Sequence, residues 1–237
     1  TISDFRQKHV AHGGEGAPMA GLVDQMLFSH QTETRILLNI GGIGNFTFLP
    51  PKNSTKKSFT TDTGPGNTLI DALTLHYFKK PYDKDGEISF SGKINDELLD
   101  EMLNDSWFDE NKTKTTGPEY FNLEWLQKKA DNLKFSIDEI PPEDLVCTVS
   151  ELSAVTIAEN IQKYISKETN ATLFVSGGGA HNPYVMNRIE ELLPRVEIRD
   201  IDDLGISADS KEAVIFAVLA NEMLAGYGFE FERGEEI

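Results

Sequence analysis

The order of elements predicts an α/β fold built on a mixed sheet, antiparallel at one side and parallel at the other. Three observations carry this expectation. Three short apolar segments follow one another early in the chain, at residues 35–40, 45–49 and 57–61, each closed by glycine or proline or leading into a glycine turn. Two later strand patterns, 171–176 and 196–201, alternate with helical ones. Between the two halves lies a long stretch, about 79–145, in which Trp107, Phe108, Tyr120, Phe121 and Trp125 are scattered through polar sequence, as in an inserted helical subdomain. Consecutive strands before any alternation exclude a doubly wound sheet, which alternates from its start.

The elements follow in order. Residues 1–16 are polar and glycine-bearing, and 19–28 places apolar residues at helical spacing. Segment 35–40 reads as a buried strand ending in Gly41-Gly42, a tight turn. Segment 45–49 alternates and stops at Pro50-Pro51, which makes it the hairpin partner. The third strand runs into Asp62-Thr63-Gly64-Pro65-Gly66, and a helix is expected from Asn67, a candidate cap, to about Phe78. Further helices are expected at 97–103, 123–133, 151–165, 182–193 and 210–224. The count gives five strands in one lobe from about residue 34 onward, with the insertion at about 79–145, preceded by residues 1–33.

Composition narrows the function. The chain has 237 residues, 39% hydrophobic and 26% charged, as in a globular protein, and a net charge of −17. That charge repels phosphate backbones and argues against nucleic-acid binding. A nucleotide such as ATP is also an anion, so a site for it needs local backbone N–H groups and a metal ion. Cys147 is the one cysteine, which allows no intrachain disulfide and suits a reducing cytoplasm; its apolar neighbours make it a core thiol. No apolar run approaches the roughly 18 residues of a membrane helix, and the first residues lack the pattern of a signal peptide. The chain starts at Thr1 without an initiator methionine and is expected to be processed or part of something longer.

Three glycine-bearing turns each follow a strand. Asn39-Ile40-Gly41-Gly42-Ile43-Gly44-Asn45 could bring backbone amides to a phosphate, or could be a hairpin that needs positive φ. Thr61-Asp62-Thr63-Gly64-Pro65-Gly66-Asn67 places an acid at a strand end just before a helix. That acid could take a proton or face a metal, or Asp62 and Asn67 could only brace the turn and cap the helix. Ser176-Gly177-Gly178-Gly179-Ala180-His181-Asn182 lets a flat ligand or a phosphate lie against the chain. Neither a Walker motif nor GxGxxG occurs, and the histidines have no metal-binding spacing.

Taken together, these turns resemble the second lobe of the actin-like ATPase and sugar kinase superfamily, a ribonuclease H-like fold with helices on both faces of the sheet. Finer matches resemble one family, anhydro-N-acetylmuramic acid kinase. They are Ser3-Asp4-Phe5-Arg6, Gly13-Gly14-Glu15-Gly16-Ala17-Pro18, Leu38 to Gly42, Asp62 to Asn67, Tyr82-Asp83-Lys84-Asp85-Gly86, Phe121 to Leu126, Gly177 to Asn182 and Lys211-Glu212-Ala213. The resemblance implies a cytoplasmic enzyme of cell-wall recycling that opens the 1,6-anhydro ring with water and phosphorylates O6 from ATP with Mg2+. It implies Asp62 as the base and Glu212 as a second catalytic acid. It implies nucleotide contacts at Gly41, Gly42, Asn45, Gly64, Gly177, Gly178, Gly179 and Asn182, sugar contacts at Arg6, Lys8 and Glu15, and no residue assigned as a direct metal ligand.

Two departures stand out. The family's phosphate-gripping hairpin of the first lobe has no counterpart here, so 1–33 is expected to be the tail of that lobe and its connection. The chain alone is then expected to be incomplete and inactive. Its partners are the anhydro-sugar, the missing N-terminal part and, in one arrangement, a second copy in a homodimer. The helix at 19–28 is expected to have lost its partner sheet. Where the family has Ser-Thr-Gly-Arg-Glu, this chain reads Thr115-Thr116-Gly117-Pro118-Glu119. The competing reading is a non-catalytic lobe that binds nucleotide or sugar for regulation or assembly, which would need neither Asp62 nor Glu212.

Overall fold

The structure, a computed structural model, describes Gln7 and residues 20–109, 115–165 and 170–225. Helix α1 (Ala20–Phe28) leads into strands β1 (Thr34–Ile40), β2 (Ile43–Leu49) and β3 (Phe59–Pro65), then α2 (Thr68–Leu73) and a π-helical turn (Thr74–Phe78). Helices α3 (Glu87–Ser91), α4 (Asp96–Leu103), α5 (Leu123–Asn132) and the long α6 (Pro142–Tyr164) follow. The chain closes with β4 (Ala171–Ser176), α7 (Pro183–Leu192), β5 (Glu197–Asp200) and α8 (Ala208–Ala225).

The five strands lie in the order β3-β2-β1-β4-β5. The β1–β2 and β2–β3 pairs are antiparallel, whereas β1–β4 and β4–β5 are parallel. This is the mixed sheet that the element order predicts. β1 is central and buried on both faces, which is why it reads as a continuous apolar run rather than an alternating one. On one face Ile36, Leu38, Phe46, Phe48, Leu173 and Val175 join the main core with side chains of α6 and α7. On the other, Leu37, Leu49 and Phe174 pack with Phe28 of α1, and Val23 of α1 packs with Ile215 and Leu219 of α8. Each such side chain contributes roughly 1.5–3 kcal/mol of burial.

The packing of α1 corrects the expectation that this helix lacks a partner. It lies against the sheet and α8, and Asp24, 1% exposed, fastens it there. Asp24 accepts a hydrogen bond from Thr47 Oγ1 of β2 at 3.0 Å and pairs with Lys211 of α8 at 3.2 Å.

The inserted region is continuous with the main core, since Leu98, Met102, Phe121, Trp125 and Leu126 belong to the same cluster as the sheet residues. α6 begins at Pro142, well before the expected residue 151. Thr148, Ser150 and Ser153 obscure its apolar period in the sequence, yet all are buried. Each finds a partner: Thr148 Oγ1 donates to the Asp144 carbonyl, Ser150 Oγ lies 2.8 Å from Ser89 Oγ, and Ser153 Oγ donates to the Gly66 carbonyl at 2.8 Å. The short α3 escaped the sequence reading because it has a single turn. Cys147 is buried as expected, its thiol 3.4 Å from the Tyr184 hydroxyl, and burial raises its pKa. Among the described residues no helix is long and apolar enough to cross a membrane.

Candidate functional site

The three glycine turns meet at the end of β1. Gly66 N–H donates to the Gly42 carbonyl at 2.8 Å, Asn67 N–H to the Gly41 carbonyl at 2.8 Å, and Thr68 N–H to the Gly42 carbonyl at 3.0 Å. Thr68 Oγ1 adds a bond of 2.6 Å to that same carbonyl. Gly66 must be glycine, since a Cβ there would stand 2.4 Å from the Gly41 oxygen. The third turn enters through Gly177, whose φ of +89° is costly for other residues and whose Cβ would stand 2.7 Å from the Ile40 oxygen. Gly42 and Gly178 are exposed, while Gly41 and Gly177 are half-buried. A Cβ on Gly178 would meet nothing nearer than 3.7 Å, so the chain there leaves room for a ligand to approach the backbone.

These contacts change the role of Asn67. Its side chain makes no cap bond to α2 and instead donates from Nδ2 to the Ile40 carbonyl at 3.1 Å. The Thr68 amide that opens α2 is bonded to the hairpin, and beyond Leu73 the helix widens into the π turn.

Asp62 lies inside β3 rather than at a strand end, because β3 continues to Pro65. The register places it opposite Asn45, which is opposite Asn39, which in turn is level with Ser176. Directly paired residues share a sheet face, so a carboxylate, two amides and a hydroxyl form one polar row beside the glycine turns. Asp62 is half-buried, and its Oδ2 accepts the Thr116 N–H at 2.7 Å. Burial pushes its carboxyl up to about 6, and the Thr116 bond offsets only part of that rise. The N-terminal dipole of the helix that follows would act in the opposite direction. Desolvation of the half-buried carboxyl outweighs it. A carboxylate with a pKa near 6 is ionised at neutral pH and is a better proton acceptor than an ordinary aspartate.

The inserted region forms part of the wall. Gly64 lies opposite Gly44 in the β2–β3 pair, and a Cβ on it would stand 2.8 Å from the Phe108 ring. The 115–119 segment, known from the sequence only as a departure, supplies the Thr116 amide on Asp62. Sequence reasoning missed both Thr116 and the linking role of Asn67; the glycine-flanked pattern around each was the available signal.

The remaining expected site residues separate into groups. Gly41, Gly42, Gly177, Gly178 and Gly179 come together around Ile40 and Asn67, with Asn45 in the adjoining row, whereas Gly64 lies two strands away on β3 against Phe108. Asn182 stands at the N-cap of α7, where its Oδ1 accepts from the Tyr184 and Val185 amides. Glu212 is on α8, but its side chain lies outside the described residues, as do Arg6, Lys8 and Glu15. Tyr82 to Gly86 proves structural, since Asp83 accepts from the Ile88 and Ser89 amides and from Ser89 Oγ. No three His, Cys, Asp or Glu side chains among the described residues are grouped to hold a metal by themselves. That arrangement is compatible with Mg2+ held by one or two carboxylates and a ligand's phosphates.

The family model described as Anhydro-N-acetylmuramic acid kinase matches residues 1–230. An anhydro-N-acetylmuramic acid kinase of Pseudoalteromonas atlantica is 45% identical over 228 residues, 95% of this chain and 56% of the relative. One of Pseudoalteromonas translucida is 41% identical over 230 residues, again 95% of this chain and 56% of the relative. The chain thus spans little more than half the length of these curated relatives. Among solved structures, the activator of the 2-hydroxyisocaproyl-CoA dehydratase from Clostridium difficile with bound ADPNP is similar at 11% identity and a TM-score of 0.44, over 90% of this chain and 69% of that one.

Proposed function

The chain belongs to the anhydro-N-acetylmuramic acid kinase family, and we propose that within the full-length protein it forms the second lobe of an ATP-dependent sugar kinase of cell-wall recycling in the cytoplasm. Residues 1–33 are then the tail and connection of the first lobe, with α1 folded back onto the second. The observation that carries the reading is the half-buried Asp62, with its carboxyl near 6, set in a polar row directly beside three converging glycine turns.

In this reading Asp62 accepts the proton of the water that attacks the anhydro carbon, while O6 of the opened ring takes the phosphoryl group. The Thr116 amide holds Oδ2 and leaves the other carboxylate oxygen for that water. Gly42 and Gly178, exposed at the turn tips, let the backbone approach the nucleotide phosphates; Gly41, Gly177 and Gly179 shape the turns behind them. Bound Mg2+ supplies charge neutralisation on those phosphates. Glu212, on the helix tied through Lys211 to α1, is the second acid near the sugar, and Arg6, Lys8 and Glu15 are sugar contacts. A passive nucleotide-binding lobe has no use for a raised carboxyl at this place, which favours the enzyme over the regulatory reading.

The test is Asp62→Asn in the full-length protein, which keeps the shape and removes the base. It should lower kcat by about 10²-fold or more, with sugar and ATP affinities within a few fold by calorimetry. Full turnover in this variant would defeat the assignment.

A further inference from the structure

We infer that Asn67 is a positioning residue that couples the three glycine turns, and that it sets nucleotide affinity without contacting the sugar. The inference rests on the nucleotide reading of those turns.

Asn67 belongs to the second turn, bonds to the first and borders the third. Its backbone N–H holds the Gly41 carbonyl at 2.8 Å, within the β1–β2 turn. Its Nδ2 holds the Ile40 carbonyl at 3.1 Å. That carbonyl also abuts the third turn, standing 2.7 Å from where a Gly177 Cβ would lie. The amide end of Asn67 faces the third turn as well: a Cβ on Gly179 would fall 2.9 Å from its Oδ1, and one on Gly178 would fall 3.7 Å from its Nδ2. A single amide therefore sets the spacing between the exposed tips at Gly42 and Gly178. Position 67 needs a donor toward Ile40 and a compact oxygen toward Gly179. Asparagine supplies both. Aspartate has the same shape but would set a carboxylate oxygen against the Ile40 carbonyl. Neighbouring Thr68 ties only to Gly42, so removing its hydroxyl should leave the spacing of the two tips intact.

The experiment uses the full-length protein and ADP as probe. Asn67→Asp should weaken ADP binding about tenfold, the scale of one lost and one repulsive contact. Sugar affinity should stay within about twofold, and Thr68→Val should bind ADP within about threefold of wild type. A second readout is independent of catalysis: in amide NMR spectra Asn67→Asp should shift the Gly177, Gly178 and Gly179 resonances, and Thr68→Val should leave them in place. If Asn67→Asp does not fold, Gly179→Ala, which presses on the same amide and on Ile40 from the other side, should give the same loss of ADP affinity. Wild-type protein that binds no ADP overturns the kinase reading and this inference with it. Wild-type binding with unchanged affinity in the variant overturns the inference alone, as does an equal loss for ADP and sugar.

Discussion

Asp62 and Asp105 are the same side chain in opposite surroundings. Asp62, in the sheet beside the glycine turns, accepts one hydrogen bond among the described residues, and burial pushes its carboxyl up to about 6. Asp105, in the inserted region, is 8% exposed and receives donors from every side. The Trp107 amide, the Trp125 indole and the Tyr120 hydroxyl bond to it at 2.9, 2.9 and 2.7 Å, and Lys129 pairs with it at 3.0 Å. Burial alone would raise its carboxyl, but these four donors together hold it at about 2. Burial thus raises one aspartate, while donors saturate and lower the other. A carboxylate poor in donors can take a proton, whereas one rich in donors is a fastening. The aromatic cluster around Asp105, with Phe121 and Trp125 centroids 5.1 Å apart, is what the fastening holds.

The largest expected effect that sharpens this contrast is the loss of turnover in Asp62→Asn given above. Asp105→Asn should do the reverse. It replaces an acceptor of several bonds and leaves Lys129 without its partner, so urea denaturation should show a loss of about 2 kcal/mol. The kcat of the fraction that remains folded should be unchanged; a variant as stable as wild type would mean the hub is ornamental.

The two groups also divide the pH axis. A base that titrates near 6 must be ionised to work, so kcat/KM should fall about tenfold per unit as pH drops below about 6 and level off above 7. Asp71 is also raised to about 6, by burial and then by Asp83, so Asp71→Asn is the control. It should leave the acid limb in place, and a limb that vanished with Asp71 would move the titration away from Asp62. Stability should respond with opposite signs. Asp105 has a folded pKa below the unfolded one, so its contribution is present above about 4 and lost as pH falls toward 2. Asp62 has a raised folded pKa, so the protein should lose stability as pH rises from about 4 through 6.

The smallest expected effect follows from that last sign. Asp62→Asn removes a carboxylate whose ionised form is penalised by burial, so the inactive variant should be more stable at pH 8 by about 1 kcal/mol. Equal stabilities at pH 8 would show that Asp62 is solvated better than its surroundings suggest.

Much of this architecture is legible in the residues themselves. The strand runs, the hairpin at Gly41-Gly42 and the helices from Asp96, Leu123, Pro183 and Ala208 follow from apolar period and from glycine and proline punctuation. α6 was half hidden because its inward face carries threonine and serine, whose hydroxyls are satisfied by carbonyls one turn back, by Ser89 and by the Gly66 turn. Asn67 followed the pattern of a helix cap, and that local rule lost to a carbonyl 27 positions away.

By itself the sequence determined the order of elements, the mixed sheet, the three glycine turns, Asp62 as the acid among them, and, through its resemblance, the family. These are local or periodic properties, set by side-chain type along the chain. Only the tertiary structure decided that the turns gather around the Ile40 carbonyl, that Asn67 stands between them, that α1 rests on the sheet through Asp24, and that Thr116 reaches Asp62 from 54 residues away. It also decided the sign of the Asp62 shift. Desolvation depends on what surrounds a carboxylate from every direction, and a linear pattern specifies only its neighbours along the chain.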